Sequence, residues 1–151
     1  MKIRATTALL VVLALVLLGA CGGDSDDTDE AAGGTATEEA AAKGEVSFTE
    51  PEDGAEVSTP VLVKMEAKDF TIEPAGEVRE GAGHFHIMVD TECVAAGQVI
   101  PNDATHVHFG KAQTEAELPL PAGEHELCLQ AADGAHTALD LTDEITIEVS
   151  G

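Results

Sequence analysis

Between Val46 and Val149 no apolar pattern lasts longer than one strand. Val46 and Phe48 alternate with polar residues. Val61, Val63, Met65 and Ala67 fall on one face, against Leu62, Lys64, Glu66 and Lys68 on the other. Leu127, Leu129 and Ala131 follow His125 in the same rhythm, and so do Ile145, Ile147 and Val149. A period of two is what a strand with one buried face requires, because successive side chains point to opposite sides. Turn chemistry separates the runs: "PEDGAEVSTP", the Pro121-Ala122-Gly123 corner, and "ADGAH". No segment of this region holds a helical period for three turns. Short strands with turn signals every ten or so residues predict an all-β sandwich over residues 45–151.

The residues ahead of this region read differently. "MKIR" and the apolar run "ATTALLVVLALVLLGA" have the charge and length of a secretory signal, and are too short and wrongly flanked for a membrane span. The run ends in Leu18-Gly19-Ala20-Cys21, which resembles a bacterial lipobox. That resemblance implies a signal peptide over residues 1–20, lipidation of Cys21, and a chain anchored to the outer side of a cell membrane. Residues 22–44 hold seven acids, one Lys and no large apolar side chain. Such a stretch cannot bury enough surface to offset its ordering entropy, so residues 21–44 are expected to be a disordered acidic tether.

The whole chain has a net charge of −22. Over residues 45–151 the only basic side chains besides histidine are Lys64, Lys68, Arg79 and Lys111. A surface this negative repels nucleic acid; it fits the accumulation of cations near the surface and fits equally a salt-adapted host whose proteins stay soluble by carrying acid.

All six histidines lie between residues 84 and 136, and four of them form His-x-His pairs in "GHFHIMVD" and "THVHFG". In a strand through residues 84–89, Phe85, Ile87 and Val89 would face the core, and His84, His86 and Met88 would share the other face. Residues i and i+2 sit about 6.5–7 Å apart along a strand, so two imidazoles can lean toward one ion. His106 and His108 repeat the arrangement. The candidate ligands are therefore His84, His86, His106 and His108, with Met88 and His136 as further candidates. A thioether beside imidazoles favours copper over zinc. The other reading makes the histidines polar partners within a β-domain. His125 shares the parity of core Leu127 and Leu129 and reads as structural. Asp90 and Asp103 read either as turn residues or as groups that orient imidazoles.

With Cys21 lipidated, Cys93 and Cys128 remain. Export places them where disulfides persist, so they are expected to pair; thiolate ligation of a metal is the competing use.

"VSFTEPEDGAEVSTPVLVKMEA" is similar to the first two strands of many bacterial immunoglobulin-like modules, and "PAGEHELCLQAADGAH" to their strand-F region. The blocks "GHFHIMVD", "IPND", "HVHFGKAQTE" and "LPAGEHELCLQAADGAH" resemble, in order, the motifs of an exported family, domain of unknown function 4399. Ala112 stands where that pattern has glycine. The resemblance implies an immunoglobulin-like sandwich of about seven strands, in which the histidine strand neighbours strand F and a Cys93–Cys128 bridge staples the two from outside. It implies no activity.

Two kinds of function fit these features. One is a membrane-anchored, extracytoplasmic domain that captures or buffers copper or, second, zinc. The other is a non-enzymatic module for an envelope protein or glycan, with structural histidines; the lack of Trp and Tyr counts against a sugar platform. "GHFHIMVD" is also similar to the His-x-His copper strand of Cu,Zn superoxide dismutases, but the rest of that family's ligand pattern does not appear. Neither a nucleophile elbow nor His-Glu-x-x-His is present. An enzyme is not expected.

Overall fold

The structure is a computed structural model that describes residues 43–151. The signal segment, Cys21 and most of the tether lie outside the described residues. Among those residues there are nine strands and no helix, so the fold is all-β. The strands are β1 (Glu45–Glu50), β2 (Glu56–Ser58), β3 (Val61–Lys68), β4 (Thr71–Ile72), β5 (Ala82–Val89), β6 (His106–His108), β7 (Glu115–Leu118), β8 (Gly123–Ala132) and β9 (Ala138–Ser150). The count exceeds seven because two short strands add to the longer runs: β2, three residues within the stretch "PEDGAEVSTP" that pattern reading takes for a turn, and β4, two residues long.

One sheet runs β1-β3-β7. The other runs β2-β9-β8-β5-β4, with β6 also pairing β5. The alternating residues meet between them: Val46, Val61, Val63, Met65 and Leu118 from the first sheet, with Phe85, Ile87, Leu127, Leu129, Ile145, Ile147 and Val149 from the second. Burial of such a face is the main term favouring the fold. Asp143 shares the inward parity of Ile145, and its carboxylate accepts a 2.8 Å hydrogen bond from the Phe48 amide. It satisfies an amide where the β1–β3 register shifts between Phe48 and Glu50.

The strand that carries the first His-x-His pair, β5, has neighbours on both edges. It pairs antiparallel with β8, His86 opposite Gln130 and Met88 opposite Cys128. Its other edge takes β6, His86 opposite His108, and the parallel β4 at Ala82 and Gly83. All eight residues of β5 are buried. Alternation predicts one covered face; the second is covered because the segment after Val89 folds back over it. There Met88, Ile100, Cys128, Ala132 and Ala138 form a smaller apolar cluster, with Cys93 and Val94 packed against it. A Cys93–Cys128 disulfide fixes that cover to β8.

Candidate metal centre

His84 and His86 point outward from β5, opposite Phe85 and Ile87, and are 0% and 1% exposed. His108 comes from β6, directly across from His86. His136 comes from the turn between β8 and β9. Asp133 shapes that turn: its carboxylate accepts from the amides of Ala135 (2.8 Å) and Thr137 (2.9 Å), and its carbonyl accepts from His136 N. His136 adopts φ 68°, a left-handed conformation in which histidine is enriched among non-glycine residues. The turn lies against the β4–β5 loop, where Gly76 N donates to the Gly134 carbonyl at 2.8 Å.

One nitrogen from each of these four rings lies within 4.8 Å of the other three. The Nε2 atoms of His84 and His86 are 3.1 Å apart, as are those of His108 and His136. Five of the six ring-centroid separations lie between 4.7 and 5.0 Å, and the sixth, His86–His136, is 5.8 Å. Four nearly equidistant rings mark the corners of a tetrahedron. With an edge of about 5 Å its centre lies about 3 Å from each ring centroid, close to a metal–nitrogen bond of about 2.0–2.1 Å plus the radius of an imidazole. His84 and His86 form a buried floor, His136 is half-buried and His108 is exposed, so an ion has a way in. Gly110 leaves room for the rim: a β-carbon there would collide with the His108 ring.

The polar accounting points the same way. Among the described residues, the ring nitrogens of these four histidines meet no carboxylate, carbonyl or hydroxyl; their side-chain partners are one another. Nδ1 of His84 and of His86 is buried without a partner. A metal-free pair with facing Nε2 atoms cannot satisfy all four of its nitrogens in any tautomer, at a cost of about 1–3 kcal/mol for each stranded group. A cation between the Nε2 atoms turns two opposed lone pairs into two bonds.

His84, His86 and His108 are also biased toward the neutral form, the form that ligates. Burial, then the neighbouring His108 and His136, lowers the pKa of His84 to about 4, with Asp133 opposing. Burial, then His84, His108, His136 and His106, lowers that of His86 to about 3. Burial and His136 lower that of His108.

The sequence places His106 in this set, and the structure does not. β6 is three residues long, and at its start the His106 Nδ1 turns back to the Asp103 carboxylate at 2.7 Å, which also accepts from the amides of Thr105 and His106. Asp103 is drawn down to about 2, chiefly by the hydrogen bond from His106. Met88, expected beside the ligands, packs with Ile100 and Cys128 in the smaller apolar cluster. His125 is structural, as its parity predicts: Nδ1 lies 2.9 Å from the Asp90 carboxylate and Nε2 3.0 Å from the Pro121 carbonyl. Both aspartates do orient imidazoles, but those of His125 and His106. Pattern reading does not single out Gln130, Gly110 or the cover over β5; the only hint of the first is a polar residue in an apolar run.

The sequence profile of the domain of unknown function DUF4399 matches residues 63–150, and the chain belongs to that family. No curated protein matches it. A solved structure of the endo-β-1,4-mannanase from Thermotoga petrophila is similar over 76% of this chain, at 20% identity and a TM-score of 0.45. The chain covers 21% of that enzyme's chain, a likeness too loose to extend to the site.

Proposed function

We propose that this domain binds one divalent transition-metal ion through His84, His86, His108 and His136, and that it serves capture or buffering rather than catalysis. The observation that carries the reading is the convergence of four imidazoles whose nitrogens have no other partner among the described residues. Four nitrogen donors fill a tetrahedral shell and leave no open position for a reacting ligand, which speaks against catalysis. The tetrahedral ring arrangement favours zinc. Copper(II) prefers a tetragonal site, and the thioether that argues for copper belongs to a residue packed elsewhere. Metal-ligating histidines usually donate their second nitrogen to a protein acceptor, which strengthens the site. Nδ1 of His84 and of His86 has none, so the ion is held loosely enough to exchange, as a buffer requires. Lipidation at Cys21 would tether the domain outside a membrane, and its acidity would concentrate cations there.

Elemental analysis of the untagged chain tests the reading. One zinc per chain is expected, and none in the His84→Ala/His86→Ala variant. A metal-free wild type that also fails to take up added zinc or copper would leave an envelope module with structural histidines.

A further inference from the structure

His136 reaches the other three rings from a turn, and what holds that turn on one side is the segment covering β5. Gly97 N donates to the Ala138 carbonyl at 2.9 Å, Ala138 N to the Gln98 carbonyl at 2.8 Å, and Ile100 N to the His136 carbonyl at 2.9 Å. Residues 97–100 therefore grip both sides of the peptide that follows His136. The root of the same segment is fastened to β8 in two ways. Val94 N donates to Gln130 Oε1 at 3.0 Å, and Gln130 Nε2 donates to the carbonyls of Val94 (2.7 Å) and Leu139 (3.0 Å). One residue earlier, Cys93 is bridged to Cys128. Gln130 is 1% exposed and stands directly across from His86. The path from bridge to ligand is thus continuous: Cys93–Cys128, the strap 93–100, then His136.

We propose that the Cys93–Cys128 disulfide is a redox lock on the metal site, resting on the metal-binding reading above. Oxidised, it pins the strap to β8 and keeps His136 among the ligands. When a dithiol donor delivers two electrons and two protons, the sulfur–sulfur bond breaks. Cys93 and Cys128 become thiols, and the donor leaves as its own disulfide. Cys93 is half-buried and within reach of such a donor. What then holds the root is one side-chain amide, and loops with few anchors open locally at low cost. As the strap loosens, His136 leaves the set and the ion is held by three rings.

Two measurements on the untagged chain test this. In the first, zinc affinity is compared in wild type, Cys93→Ser/Cys128→Ser, His136→Ala and the combination of all three changes. The serine pair is expected to lose about 10- to 100-fold, the range seen when the support of a ligand is removed. His136→Ala should lose as much in wild type and nothing further in the serine background, since contacts along one path are not additive. Equal affinity with and without the bridge, or a full additional loss from His136→Ala, overturns the proposal. The second uses no metal. Hydrogen exchange is followed at Gly97, Ile100 and Ala138 as a phosphine reductant is added. Faster exchange there, with Leu129 and Ile147 unchanged, supports the lock. Unchanged protection at Ile100, or protection lost evenly across the sandwich, overturns it. If no variant binds zinc the metal reading fails, and the exchange experiment still decides whether the bridge controls the strap.

Discussion

His106 and His125 sit in the same small domain as His84, His86, His108 and His136, yet their ring nitrogens are spent differently. His106 is bonded to Asp103. His125 spans Asp90 and Pro121, two partners that only accept, so its ring carries a proton on each nitrogen. Burial disfavours that charge, but the bonds to Asp90 and Pro121 outweigh it and raise the pKa. The other four rings have no oxygen to donate to among the described residues, and burial pushes the protons off His84 and His86. One group is the satisfied polar framework of a β-domain. The other is a set of donors held together without partners, an arrangement that favours an added cation. Sorting histidines by what they touch separates the two groups; sorting them by spacing does not.

The largest effect that would break this contrast lies in binding. His84→Ala/His86→Ala should lower zinc affinity at least about a thousandfold, more than a change beyond the ligands produces, while His106→Ala should leave it within about threefold. Calorimetric titration checks both, and a large loss from His106→Ala would put that residue back in the set.

The next effect is the acid limb of stability. His84 and His86 have folded pKa values of about 4 and about 3 against 6.5 when unfolded. Below pH 6.5 the unfolded chain binds protons that the folded chain refuses. The metal-free domain should therefore lose stability as pH falls from 6.5 toward 4, by about 2–4 kcal/mol after partial relaxation, with no loss from these groups above 6.5. His125 acts on the other side. Its folded pKa is raised, so its contribution is full below 6.5 and fades as pH rises through the folded value. Urea unfolding across this range checks the sign of each limb.

His125→Ala should then cost about 2–3 kcal/mol at pH 6, by removing two hydrogen bonds of a charged ring, and leave zinc affinity unchanged. The smallest effect is at Ala112, which adopts φ 58°. The glycine expected there is the residue that tolerates this conformation, and Ala112→Gly should stabilise the domain by about 0.5–1 kcal/mol without altering zinc uptake. Unfolding midpoints measured with and without zinc check both.

Much of the sandwich was legible because its strands obey a period of two. The parity of β5 correctly assigns Phe85, Ile87 and Val89 to the core and His84, His86 and Met88 to the other face. Two contacts were hidden, for a physical reason. Whether the outer face of β5 is wet or covered depends on residues 93–100 folding back. Those residues carry no period of their own, and their position comes from Gln130 and the bridge. Parity also gives His106 and His108 the same direction, but His106 begins its strand, where the Asp103 turn competes for it. His136 belongs to no strand, and the Asp133 turn and the strap through residues 97–100 together aim it. In both cases an aspartate three residues before the histidine was the readable signal, with opposite results: one binds the ring, the other shapes the turn that frees it.

The most direct test of the central claim is a zinc titration of the untagged chain with the six histidine rings followed by nitrogen-resolved NMR. At one equivalent, the resonances of His84, His86, His108 and His136 should move together while those of His106 and His125 stay in place. Rings that do not respond, or a response shared by His106 or His125, would contradict it.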